Sequence, residues 1–308
     1  MQFSITTKPI HDFELITIAN EQLAIELCTK GGLLNKWELL GSSPINFIDG
    51  NDFTLGWNQF EMNGFKSGKM NPYSCRLNKG KYQFESKSYQ IEKFYLGNHA
   101  LHGIIYDVLY TIVSTAVKEN EAHVTLSYQY NALDKGFPFN YSIQIQWIIS
   151  NTNTLKSITT ITNNGLENFP MMDGWHPYFK LSENINKYRI QFNNQGKIVY
   201  DSELLPTGEI TQDLHFENGA VLNNMHLDNC YLLKENSNII VEDSQFKLTI
   251  HPGKEYPYLQ IYTPENRNSI AIENLSGVPD CFNNKMGLHI MKPHSEYVLE
   301  TSYTIEVK

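Results

Sequence analysis

Arginine, net positive charge and cysteine are all scarce in this sequence. Only three arginines occur in 308 residues, Arg76, Arg189 and Arg267, so planar, bidentate capture of an anion has few candidates. Lys and Arg number 24 against 33 Asp and Glu, a formal net charge of −9. A field of that sign repels phosphate backbones, which argues against a nucleic-acid partner and favours a neutral ligand over a highly charged one. The four cysteines, Cys28, Cys75, Cys230 and Cys281, are widely and irregularly spaced without a CxxC pair. That excludes zinc-ribbon and thioredoxin-type readings and leaves them as reduced, half-buried small hydrophobes. No apolar run approaches the ~20 residues that span a bilayer, and the N-terminal stretch has no apolar core of signal-peptide length. A cytoplasmic protein with no membrane partner is expected.

Sustained helical spacing is missing as well. The dominant period is two, in Gln22–Leu27, His123–Tyr130, Ser142–Trp147, Phe246–Ile250, Tyr258–Thr263 and Ser269–Glu273. Leu155–Thr162 and Glu296–Val307 alternate less strictly but keep the β-branched and aromatic composition of strands. Turn clusters punctuate them at Asn163-Asn164-Gly165, Asn193–Gly196, Asn218-Gly219 and Pro264-Glu265-Asn266. Many short strands with such punctuation predict an all-β protein, a large single-domain β-sandwich over residues 1–308. In Tyr258–Thr263 one face carries Tyr258, Gln260 and Tyr262, which suits a groove that both stacks and hydrogen-bonds. In Ser269–Glu273, Ser269 and Ala271 share a face with Glu273, leaving a concavity beside its carboxylate.

Polar functional groups concentrate among aromatics in four segments: Asn98–Gly103, Met172–Phe179, Leu227–Tyr231 and Ile272–Asp280. Each has a plain structural explanation when taken alone. A histidine in a strand-rich protein is commonly a satisfied hydrogen-bonder, Asp228 can cap a turn, and Pro279-Asp280 is an ordinary loop pair. No His pair at i,i+2 or i,i+4 gives metal-ligand spacing, so no metal or other cofactor is expected.

Taken in order, the segments resemble the aldose 1-epimerase (galactose mutarotase-like) family from about residue 13 to about residue 305. The resemblance rests on the arginine segment at Arg76, Leu101-His102-Gly103, Thr162-Asn163, His176-Pro177-Tyr178-Phe179, Asp228 and Glu273. It implies the family's supersandwich form of β-sandwich and a mutarotase, which interconverts the α and β anomers of a free aldose such as glucose or galactose. Glu273 would be the general base at the anomeric hydroxyl and His176 the general acid at the ring oxygen. His102 would hydrogen-bond the sugar near the reacting centre, and Arg76 and Asp228 would orient the remaining hydroxyls. Tyr178 or Trp175 could cover the sugar's apolar face. The chemistry explains these types: the ring opens when O1 loses a proton and the ring oxygen gains one, so one base and one acid suffice.

Two departures stand out. Ser74-Cys75-Arg76 replaces the family's usual asparagine before arginine, and Gly103-Ile104 stands where a glycine pair follows the histidine. Both leave the acid and base in place and the sugar's identity open. The sequence also leaves open a hexose-6-phosphate mutarotase, a non-catalytic sugar-binding sensor and, if Asp228 and Glu273 converge, a glycoside hydrolase. The expected partner is a small-molecule sugar, and the expected assembly is a monomer or a homodimer.

Overall fold

In the computed structural model, residues 2–57, 60, 61 and 63–308 are described. All eight expected strands lie in strands, among them Leu23–Cys28, Glu121–Asn131, Asn140–Ser150, Thr154–Asn163 and Tyr258–Tyr262. Among the described residues the helical elements are Cys281–Asn284 and three 3-10 turns, and no helix is long and apolar enough to cross a membrane.

Two large sheets carry the architecture. The nine-stranded sheet centres on Asn140–Ser150, Thr154–Asn163 and Glu296–Val307, paired antiparallel in that order. The eight-stranded sheet runs Pro206–Thr211, Asn194–Tyr200, Asp228–Leu233, Tyr258–Tyr262, Ile270–Leu275, Gly174-Trp175 and Lys69-Met70, with Tyr178-Phe179 also on Ile270–Leu275. A five-stranded meander, Ser4–Asn46, flanks them. Side chains meeting between the two large sheets define the core: Trp147 against Trp175 at 5.0 Å, Phe179 against Tyr303 at 5.8 Å, and Asn274 Nδ2 donating to Thr301 Oγ1 at 3.2 Å. This is the β-sandwich that period-two patterning predicts, since each strand has one face to bury against the opposite sheet.

Ile270–Leu275 is buried on both faces. Ile270, Ile272 and Asn274 face the nine-stranded sheet, so Ala271 and Glu273 turn to the other side, where Glu61, Phe65, Phe94, His102, Tyr200 and Leu204 close over the sheet. The expected turn at Asn193–Gly196 is a strand instead. Its polar composition misleads because the pairing register shifts between Asn194 and Gly196, and glycine is required there for close approach: a Cβ would lie 2.5 Å from Ile210 and 2.8 Å from the Thr211 carbonyl. The four cysteines are free, and all are fully rather than half buried.

Candidate active site

The covered face of the eight-stranded sheet floors a cavity of about 330 Å³. Two rows of residues in register form its base. Cys230, Gln260 and Glu273 make one row across three strands; Asp228, Tyr262, Ala271 and Tyr178 make the next. Gln260 and Tyr262 therefore face the cavity, as the alternation of their strand predicts. Ala271 keeps the second row shallow beside the Glu273 carboxylate.

Arg76, His102, His176, Asp228 and Glu273 all line this cavity. His102 and His176 meet edge to face with ring centroids 5.0 Å apart, and His176 stacks on Tyr178 at 5.0 Å and 4°. Glu273 Oε1 lies 3.4 Å from His176 Nε2, and Glu273 Oε2 lies 3.9 Å from the Cys75 thiol. The wall opposite the floor is built by an unusual local backbone. Cys75 and His102 both adopt positive φ, 51° and 58°, a region that non-glycine residues rarely occupy and that concentrates at functional sites. The two are tied directly, since the His102 N–H donates to the Cys75 carbonyl at 3.0 Å. Gly103 follows at φ 80°, where a Cβ would sit 2.4 Å from the Asn71 carbonyl oxygen; only glycine lets this turn press so closely on the neighbouring chain.

Burial dominates the electrostatics. It pushes Glu273 well above the usual carboxylate range, with the Asp228 charge adding and the Cys75 thiol opposing. It pushes His176 down to about 4. His102 falls well below the usual imidazole range through burial, then through His176 and Arg76. Asp228 is raised by burial against the opposing pull of Arg76 and a hydrogen bond from Gln260. Glu273 and His176 are within ion-pair reach, yet burial favours the neutral form of each. Their contact at 3.4 Å is longer than a short charged bond, so the desolvation cost outweighs the pairing and shifts both groups toward their neutral forms. His176 Nδ1 is buried without a hydrogen-bond partner, and His102 Nδ1 has the Met70 sulfur at 3.0 Å, a weak partner that leaves Nε2 for the cavity. Among the described residues no three His, Cys, Asp or Glu side chains converge as metal ligands.

Other residues of the four sequence segments go elsewhere. Trp175 points into the sandwich against Trp147, so of the two aromatics suggested for the sugar's apolar face only Tyr178 lines the cavity. Asp173 is wholly buried and bound to Lys69. Asp280 accepts from the Asn78 N–H at 2.9 Å, a loop brace. Asn163 braces its own turn through the Glu167 carbonyl at 2.9 Å and the Met291 carbonyl at 3.1 Å. Sequence reasoning missed Glu61, Phe65, Phe94, Tyr200 and Leu204, which the fold brings to the cavity from distant turns. Of these only Tyr200, ending an alternating run before Asp201-Ser202, carried a faint strand signal.

The cavity thus brings a buried carboxyl and a buried imidazole into contact beside the floor of a β-sandwich. The chain belongs to the aldose 1-epimerase family: the sequence model described as aldose 1-epimerase matches residues 14–304. Its fold is similar to that of a galactose mutarotase-like protein from Clostridium acetobutylicum, at 19% identity and a TM-score of 0.86, covering 100% of this chain and 99% of that one. It is also similar to the GalM/aldose epimerase homologue from C. elegans (20% identity, TM-score 0.82, 96% and 99% covered). A third similar structure is galactose 1-epimerase from Lactobacillus acidophilus (17% identity, TM-score 0.83, 99% and 98% covered).

Proposed function

We propose that this protein is a mutarotase of free aldoses, with Glu273 as general base at the anomeric hydroxyl and His176 as general acid at the ring oxygen. The observation that carries the reading is the Glu273–His176 pair, buried together at 3.4 Å on the cavity wall. The pair holds one proton. Burial shifts that proton toward Glu273. A bound sugar donates its O1–H to the carboxylate and accepts at its ring oxygen, which favours the proton on His176. Both arrangements carry the same net charge, so moving the proton between them creates no new buried charge. Ring opening transfers a proton from O1 to Glu273 and one from His176 to the ring oxygen; C1 turns about the C1–C2 bond and the steps reverse on the other face.

Neutral His102 offers a ring nitrogen near the reacting centre, while Arg76 and Asp228 orient the remaining hydroxyls. Tyr178, parallel to the His176 ring, supplies an apolar surface. Arg76 is the one Lys or Arg among the described residues lining the cavity, against Glu61, Asp228 and Glu273. That balance favours a neutral sugar over a phosphorylated one. Glu273 approaches His176 rather than a second carboxylate; Asp228 lies two strands and two residues away in the floor, which disfavours glycoside hydrolysis.

Anomer exchange followed by polarimetry or saturation-transfer NMR on fresh α-D-glucose and α-D-galactose tests the proposal. Glu273→Gln and His176→Asn should each lower the exchange rate by ~10²–10⁴-fold while remaining folded. Wild-type protein that leaves spontaneous exchange unchanged across a panel of free aldoses would remove the catalytic reading in favour of a sugar sensor.

A further inference from the structure

Gln260 occupies the middle of the cavity floor, between Cys230 and Glu273 in register, and its amide has a partner at each end. Tyr200 Oη lies 3.0 Å from Oε1, and Nε2 lies 2.6 Å from Asp228 Oδ1. The orientation of such an amide follows from its network, and here the network admits one answer. An ionised carboxylate can only accept, so the amide turns its NH₂ to Asp228. Oε1 then faces the phenol, which must donate. Burial, with the Cys230 thiol adding, pushes the Tyr200 phenol well above its ordinary range, so its proton stays in place.

We infer that Tyr200 is a positioning residue: by donating to Gln260 Oε1 it locks the amide in the orientation that donates to Asp228, and so holds the Asp228 carboxylate ready for sugar hydroxyls. The service to a sugar rests on the mutarotase reading; the lock rests on geometry alone. Arg76 is the other charged group acting on Asp228, and it favours the carboxylate's charge; the Glu273 carboxyl, on the neighbouring row of the floor, is itself raised by the Asp228 charge. Tyr200 also ends its strand at the tight loop that forms part of the cavity rim. There Asp201 Oδ1 accepts from the N–H groups of Glu203 and Leu205 at 2.8 and 3.0 Å, and Leu204, at φ 59°, lines the cavity. The lock thus ties the rim to the floor.

The decisive experiment is Tyr200→Phe, which removes one oxygen and leaves the ring. Carbon-13 NMR titration of the Asp228 carboxyl should move its midpoint upward by ~0.5 pH unit or more, because a carboxylate that loses an aligned donor holds its proton more tightly. Gln260→Leu should move it in the same direction. In exchange assays Tyr200→Phe should raise KM about 3–10-fold and change kcat less than about twofold, the size of one neutral hydrogen bond. In an Asp228→Asn background the effect on KM should vanish, since an amide partner can present oxygen or NH₂ and no longer dictates the orientation. A merely structural tyrosine would lower the folded fraction and Vmax while leaving KM and the carboxyl midpoint alone. An unmoved Asp228 midpoint in folded Tyr200→Phe, or effects of Tyr200→Phe and Asp228→Asn on KM that multiply, overturns the lock. Absence of exchange in the wild type would instead strike the mutarotase reading, with the carboxyl titration still deciding the lock.

Discussion

Lys69 and Asp173 are as deeply buried as Glu273 and His176, but the two pairs differ in how fully their polar atoms find partners. Asp173 Oδ2 accepts from Lys69 Nζ and from the Tyr256 hydroxyl at 2.7 Å, and Oδ1 accepts from Asn71 Nδ2 at 3.0 Å. Lys69 also donates to Thr159 Oγ1 at 3.0 Å and lies over the Trp175 ring at 4.4 Å. The Asp173 N–H donates to Ser276 Oγ at 2.8 Å. Glu273, by contrast, has a histidine at 3.4 Å and a thiol at 3.9 Å, and the far nitrogen of that histidine has no partner. Buried charge that is fully met holds a structure together. Buried titratable groups left short of partners on a cavity wall are poised for a ligand to complete them. The satisfied cluster also serves the unsatisfied one: it joins Lys69-Met70, the Asn71 contact under the His102 turn, and the strand entering His176.

Breaking the satisfied cluster should have the largest effect on stability. Lys69→Met leaves Asp173 charged and buried, and should cost about 3–5 kcal/mol in denaturant unfolding. Recovery of stability when Asp173→Leu is added would show the loss to be an uncompensated charge; no loss in the single variant would refute the contrast.

The unsatisfied pair should reveal itself in the pH dependence of rate. On the proposed mechanism exchange requires one proton on the pair, so kcat/KM should fall below about pH 4, where His176 takes up a second proton. It should fall again on the alkaline side, beyond the ordinary carboxylate range, where Glu273 loses the only one. The slope outside the window is about tenfold per pH unit. A profile set by an ordinary carboxylate near pH 4.5 as the sole limb would contradict this.

The smallest effect concerns Glu273→Gln. Because the folded protein holds the Glu273 proton more tightly than the unfolded chain does, stability present at low pH is lost as pH rises toward the folded value. Gln carries no such penalty. The variant should therefore melt higher than wild type at alkaline pH, with the gain shrinking toward pH 4. Equal melting temperatures throughout would mean that the carboxyl is not penalised by burial.

Much of this was legible in the sequence. Alternation placed Gln260 and Tyr262 on one face and Ala271 beside Glu273 on another because, within a strand, side-chain direction is a local property. The same rule separates Trp175 from His176: consecutive residues point to opposite faces, so the tryptophan goes to the core while the histidine goes to the cavity. What local pattern cannot convey is which distant turns close over a sheet. Tyr200, Leu204 and Glu61 reach the cavity through long-range packing, and the bulge at Gly196 that shapes the Tyr200 strand looks like a turn in the sequence. Lys69 and Asp173 find each other 104 positions apart, a pairing that no spacing rule anticipates.

The strand Ile270–Leu275 is covered on both sides, so its amides belong with those that exchange hydrogen only on global opening. Glu273 consequently rides on a slow element, while part of the rim, Asp201–Leu205, lies outside the strands, where sequence change is better tolerated. On the proposed reading, substitutions in that rim loop would change which ligand the cavity admits without moving the Glu273 carboxyl.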